Sequence, residues 1–135
     1  MPPLLEVKDL SIGFGEAPPV VSGVNFSVNA GETLALVGES GSGKTLTCRS
    51  ILRILPAAAQ IRSGSIEFGT GSSRCELLTL GKREIRAVRG NTISMIFQEP
   101  MRSLSPLHRI GNQVSEVLTL HRDMTLSEAK RDVLA

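Results

Sequence analysis

The run at residues 38–45, GESGSGKT, constrains this chain more than any other feature, because it matches the pattern GxxxxGK[S/T] at every defined position. Such a loop connects a buried strand to a helix. Residues 34–37 are a continuous apolar run, typical of a strand covered on both faces, and Gly31 supplies a turn before it. After the loop, apolar residues recur at helical spacing until Pro56, which predicts a helix of about three turns beginning near Gly43. The alternative is a glycine-rich turn that binds nothing.

The residue types of this loop predict phosphate binding. Glycines let successive backbone N–H groups converge on phosphate oxygens, and the N-terminus of the following helix adds the positive end of its dipole. We expect Lys44 to reach the β- and γ-phosphates, and the Thr45 hydroxyl to bind the Mg²⁺ that bridges them, because Mg²⁺ prefers oxygen ligands. The predicted nucleotide-binding residues here are Gly38, Glu39, Ser40, Gly41, Ser42, Gly43, Lys44, Thr45 and Leu46.

Composition excludes several other classes of protein. At 135 residues, with 41% hydrophobic and 21% charged residues, the chain has the composition of one soluble globular domain. The net charge of +2 is too small to predict a nucleic-acid partner. No apolar stretch approaches the roughly 20 residues that span a bilayer, and the N-terminus lacks the regions of a signal peptide, so we expect a cytoplasmic location. Cys48 and Cys75 are expected to be reduced, and His108 and His121 to be surface or loop residues.

The remaining patterns predict the order of the secondary structure. Apolar and polar residues alternate through residues 5–14 and 24–28, which predicts half-buried antiparallel strands. Ser63-Gly64 is interpreted as a turn before a short strand at residues 65–68, and residues 81–88 as a short helix. Residues 92–97 are a second candidate for a buried strand, with a polar residue at its C-terminal edge, where α/β proteins place ligand groups.

The C-terminal part of the sequence predicts helices. Ile110, Val114, Val117 and Leu118 fall on one helical face, and residues 125–128, TLSE, have the form of a capping box that opens another helix. The chain ends inside that helix, which predicts truncation. The expected divisions are a β subdomain at 1–33, a P-loop core at 34–100 and the start of a helical subdomain at 101–135.

GESGSGKT followed by MIFQEPMRSLSP at residues 95–106 resembles the ATP-binding subunits of ABC transporters, and among them the peptide-importer group. The resemblance runs from about Leu5 to the last residue. It implies an α/β fold, in which a P-loop NTPase core follows an N-terminal antiparallel β subdomain and precedes the start of a helical subdomain. It also implies that Gln98 contacts Mg²⁺ and the attacking water, and that Phe14 stacks on adenine. Simple strand packing is the alternative for Phe14.

The same resemblance implies ATP and Mg²⁺ as cofactors, with Lys44 and Gln98 as catalytic residues and Thr45 and Gln98 as metal ligands. It further implies two kinds of partner, a second ABC ATPase domain in a head-to-tail dimer and transmembrane permease subunits that would hold the protein at the inner face of the membrane. The family's LSGGQ-like signature, its Asp-Glu strand and its switch histidine do not occur in this sequence. The parent is therefore expected to be an ATPase that powers uptake of peptides or similar small solutes, and this chain alone to be inactive.

Three alternatives stay open. The chain is a nucleotide-binding module without turnover, or it is a non-transport P-loop protein, such as a kinase or an ABC protein acting on DNA or ribosomes. In the third alternative, residues 95–99 correspond to the family's Asp-Glu strand, with Glu99 as catalytic base. Gln98 would then occupy the position at which an acid is needed to bind the metal.

Overall fold

The computed structural model describes residues 2–99, 104–122 and 124–134, which fall into two compact units, Met1–Ile85 and Arg86–Ala135. In chain order the elements are β1 (Leu5–Phe14), β2 (Val21–Val28), α1 (Lys44–Ile51), β3 (Ala59–Phe68), a short 3₁₀ turn (Gly71–Ser73), β4 (Cys75–Glu76), α2 (Lys82–Val88), α3 (Ile110–His121) and α4 (Leu126–Leu134). Each helix in this part of the chain is too short or too polar to cross a bilayer.

The first unit contains a four-stranded antiparallel sheet in the order β2-β1-β3-β4. This confirms the predicted antiparallel strands, but β3 is longer than expected and includes Ser63 and Gly64, so the predicted turn there is wrong. Gly64 has a φ of 103°, and a Cβ on it would lie 2.6 Å from the Lys8 carbonyl oxygen. The glycine is needed because β1 passes very close to β3, and not because the chain reverses.

The core of this unit lies under the central strand β1. Val7, Leu10 and Ile12 are almost completely buried, although in a regular strand the side chains that face one side are two residues apart. A β-bulge between Val7 and Leu10 explains the spacing, because the extra residue restores Leu10 to the inner face. Each such side chain contributes about 1.5–3 kcal/mol of burial free energy. The sheet is thereby a rigid support for the loop that follows β2.

Neither of the two predicted buried strands is present among the described residues. Residues 32–39 have no regular secondary structure, and Val37 is 93% exposed. Residues 94–97 are likewise irregular, with Ile96 93% exposed, and the neighbouring Ile93 makes only an isolated parallel bridge to Arg89. Both predictions are therefore wrong for this structure. A buried parallel strand depends on neighbouring strands and covering helices remote in sequence, and an apolar run does not form it alone.

Helix α1 begins at Lys44, as predicted, but ends at Ile51 instead of extending to Pro56. Arg53 adopts a left-handed conformation with a φ of 52°, and the N–H of Ile54 donates to the Arg49 carbonyl at 3.0 Å. This is the hydrogen-bond pattern of a Schellman motif, which ends a helix. The helix therefore has about two turns.

The second unit contains α3 and α4, which pack against each other. Small buried residues, Ser115 on α3 and Ala129 on α4, allow helices to approach closely. The predicted capping box is confirmed, because the Glu128 carboxylate accepts from the Thr125 hydroxyl at 2.5 Å and from the Thr125 N–H at 2.8 Å. Those hydrogen bonds hold the pKa of Glu128 below its ordinary value of 4.5.

Candidate nucleotide-binding site

The loop at residues 38–43 turns into α1 through two glycines in left-handed conformations. Gly41 has a φ of 82° and Gly43, the N-cap of α1, a φ of 88°. Only glycine adopts such angles without a steric penalty. Because Gly43 has no side chain, the N-cap supplies no oxygen to the first-turn amides of the helix, whose dipole is positive at this end. These amides form a donor set suited to an anion.

The Lys44 ammonium group lies inside this loop. Its Nζ donates to the carbonyl oxygens of Gly38 at 2.7 Å and of Glu39 at 2.5 Å, and to Ser42 Oγ at 3.2 Å. The loop also closes on itself, because the Ser42 N–H donates to the Glu39 carbonyl at 3.3 Å. A Cβ on Gly38 would lie 2.9 Å from Ser42 Oγ, so the first glycine of the motif permits this closure. The structure thus brings together the first and last parts of the motif around one positive charge.

Gly43 anchors the loop to the sheet. It is buried, and a Cβ on it would lie 2.5 Å from Val21 Cγ2 on β2. Its carbonyl oxygen accepts from the Thr47 N–H at 2.8 Å and from Thr47 Oγ1 at 3.0 Å. The last glycine of the motif is therefore fixed by van der Waals contact on one side and by the first turn of α1 on the other.

The other predicted loop residues lie on the accessible side. Glu39, Ser40 and Thr45 are exposed, and Leu46 is half-buried. Thr45 follows Lys44 on the first turn of α1, the turn whose amides would receive a phosphate. These positions fit a Mg²⁺ nucleotide, since the loop offers amide and ammonium donors to phosphate and a hydroxyl oxygen to a hard cation.

Phe14 lies in the same unit, at the end of β1. The residue is half-buried and pairs with Ala59 of β3, and its carbonyl oxygen accepts from the Ala17 N–H at 3.1 Å in the turn that follows. This placement is compatible with both interpretations of Phe14, stacking on adenine and packing on the strand. Arg62, which contacts this turn, was missed by sequence reasoning because a lone arginine inside a strand carries no local signal.

Gln98 belongs to the second unit, where it is exposed at a bend at residues 98–99. Its predicted position at the edge of a buried strand is wrong, because that strand is not formed. Its roles toward metal and water stay predictions. Residues 100–103 of the MIFQEPMRSLSP string lie outside the described residues. Cys48 and Cys75 are free thiols, each half-buried.

A family model and individual curated proteins both match this chain, and they agree on one group of relatives. The family model described as "ABC transporter" matches residues 21–134. The chain is 51% identical, over 98% of its length, to the peptidoglycan transport ATP-binding protein YejF of Agrobacterium fabrum, and covers 24% of that protein. It is 43% identical, over 95% of its length, to the oligopeptide transport ATP-binding protein OppD of Bacillus subtilis, and covers 36% of it.

A third relative is the dipeptide transport ATP-binding protein DppD of Bacillus subtilis, 40% identical over the whole chain, of which the chain covers 40%. The chain thus spans about a quarter to two fifths of the length of these curated relatives. The family match covers the loop, α1 and both helices of the second unit. It confirms the expected α/β class, a P-loop NTPase with an N-terminal antiparallel sheet, and the chain belongs to the ABC transporter family as a homologue of its peptide-transport ATP-binding proteins.

Proposed function

We propose that residues 38–46 bind the phosphates of ATP together with Mg²⁺. The observation that carries this proposal is the Lys44 ammonium group, enclosed by the Gly38 and Glu39 carbonyl oxygens beside the helix N-terminus. The Lys44 ammonium group gains a stronger partner when anionic phosphate oxygens replace these neutral carbonyls, because opposite charges then attract across the hydrogen bond. Lys44 then orients the terminal phosphates, while the first-turn amides of α1 neutralise their charge.

Thr45 is the proposed metal ligand of the loop, because its hydroxyl supplies an oxygen of the kind that Mg²⁺ prefers. For the whole protein we propose that the amide oxygen of Gln98 also serves Mg²⁺, as the resemblance to the family implies. Bound Mg²⁺ supplies charge neutralisation across the phosphates. Gln98 would also position the attacking water, a role that requires no proton transfer by the amide. Phe14 supports the adenine ring.

For the whole protein we propose an ATPase that powers uptake of peptides or similar small solutes. The names of the YejF, OppD and DppD relatives support a transport role, and the phosphate loop followed by Gln98 in this sequence supports the ATPase role. Transmembrane permease subunits and a second ATPase domain are the proposed partners, which place the protein at the cytoplasmic face of a membrane. In this proposal residues 38–46 bind the nucleotide. ATP hydrolysis requires in addition the acidic residue of the family's Asp-Glu strand.

Calorimetric titration of the chain with ATP, in Mg²⁺ and then in EDTA, tests the binding proposal. Lys44→Met keeps the apolar stem and removes the charge, and we expect it to weaken ATP binding at least about tenfold, as for loss of a hydrogen bond from a charged group. Lys82→Met removes the same charge from an exposed position on α2 and is the matched control. Equal affinities of the Lys44 variant, the control and the unaltered chain would refute phosphate binding by this loop.

A further inference from the structure

Arg62 is the inserted residue of a β-bulge in β3. Ser63 pairs with Ser11 of β1 and Ile61 pairs with Ile12, so Arg62 has no opposite residue on β1. A bulge redirects the side chain of its extra residue, and such irregularities occur frequently beside functional sites. Here the redirected side chain belongs to the strand that pairs with the end of β1, where Phe14 lies.

The Arg62 guanidinium group holds the turn that follows Phe14. Its Nη2 donates to the Gly15 carbonyl at 2.6 Å and to the Ala17 carbonyl at 2.7 Å. The same turn is closed by the hydrogen bond from the Ala17 N–H to the Phe14 carbonyl at 3.1 Å. One side chain, remote in sequence, therefore fixes both ends of the segment that directly continues Phe14.

Gly13 provides the space for this contact on the other side of Phe14. A Cβ on Gly13 would lie 2.6 Å from Arg62 Cζ and 2.7 Å from Nε, so any larger residue at position 13 would displace the end of the Arg62 side chain. The guanidinium group therefore lies directly against the backbone of the residue that precedes Phe14. Gly13 does not have a positive φ. A glycine is therefore needed here because it leaves space for the guanidinium group, and not because of its backbone conformation.

We infer that Arg62 is a positioning residue for the adenine base, which it serves by holding the turn at residues 15–17 and thereby Phe14. This inference rests on the proposed ATP-binding function. A ring whose backbone is already held in place loses less conformational entropy when it stacks on a base. Lysine would replace Arg62 less well: its ammonium group could donate to both carbonyls, but it lacks the planar guanidinium that lies against Gly13.

The test compares ATP with inorganic tripolyphosphate, which has the phosphates without the base. Arg62→Met should raise the Kd for ATP about three- to tenfold, the range expected for loss of aromatic stacking, and leave the Kd for tripolyphosphate unchanged. Gly13→Ala should give the same pattern with the charge retained. In a Phe14→Ala background, Arg62→Met should have no further effect. Arg83→Met, on the exposed surface of α2, is the charge-matched control.

A second readout tests the contact without any ligand. Hydrogen exchange of the Ala17 amide should accelerate in Arg62→Met and in Gly13→Ala, and stay unchanged in Arg83→Met. Unchanged Ala17 exchange would overturn the inference, and so would equal weakening of ATP and tripolyphosphate, which indicates an unspecific effect of charge or folding. If the unaltered chain binds neither ligand, the proposed function fails, and Ala17 exchange alone then shows whether Arg62 holds the turn.

Discussion

Replacing Gly43 by alanine tests how the phosphate loop is anchored to the sheet. Gly43 has a φ of 88°, and the new Cβ would lie 2.5 Å from Val21 Cγ2. The left-handed conformation costs about 1–2 kcal/mol for a residue with a side chain. Forcing a methyl group into a packed contact costs about 1–3 kcal/mol. We therefore expect Gly43→Ala to lower the free energy of unfolding by about 2–5 kcal/mol.

Gly41→Ala is the matched control for this prediction. Gly41 has a φ of 82°, but a Cβ on it would meet no atom within 4 Å. Both variants carry the left-handed penalty and the same change in the unfolded chain, so the difference between them isolates the contact with Val21. That difference should be about 1–3 kcal/mol.

Urea unfolding followed by circular dichroism measures these free energies, and a double variant sharpens the test. Val21→Ala removes Cγ2, so the cost of Gly43→Ala in that background should fall by about 1–3 kcal/mol. Equal destabilisation by Gly43→Ala and Gly41→Ala, or strict additivity with Val21→Ala, would refute the proposed anchoring of the loop on β2.

Three further predictions follow from individual contacts. Thr45→Val removes the proposed metal ligand without a change of shape, so ATP affinity measured by calorimetry should lose most of its Mg²⁺ dependence; an unchanged dependence contradicts the assignment. Glu76 is half-buried and accepts a hydrogen bond from the Ile66 N–H at 2.9 Å. Glu76→Ala should therefore lower the free energy of unfolding, measured in urea, by about 1–3 kcal/mol, and Glu76→Gln should lower it less. Equal losses in the two variants would contradict this role. The hydrogen bonds from Thr125 lower the pKa of Glu128 and stabilise α4 above pH 4.5. Helical circular dichroism should therefore decrease as the pH falls through the folded-state pKa of Glu128, and Glu128→Gln should reduce this pH dependence. The same pH profile in both proteins would contradict the capping role of Glu128.

Features with local causes were predictable from the sequence. The capping box at Thr125 depends on two side chains three residues apart, and the start of α1 depends on adjacent glycines and Lys44. The alternation in β1 also predicted its half-buried antiparallel character, although the bulge at Asp9 changes which residues face the core. In each case the interacting groups are close in sequence, so a short pattern contains the physical information.

Features with remote causes were not predictable. Residues 34–37 have the composition of a buried strand, but that structure requires partners elsewhere in the chain, and Val37 is exposed. Gly64 resembles a turn residue, whereas its actual role depends on the close passage of β1. Arg62 shows no sequence signal, since its contacts with Gly15 and Ala17 span 47 and 45 residues.

Backbone amide resonances of the chain, followed during titration with Mg²⁺ and ATP, test most directly whether the loop amides and Lys44 receive the phosphates. We expect saturable shifts that are largest at residues 41–46 and are abolished by Lys44→Met. Saturable shifts centred elsewhere, with the amides of this loop unaffected, would contradict phosphate binding by this loop.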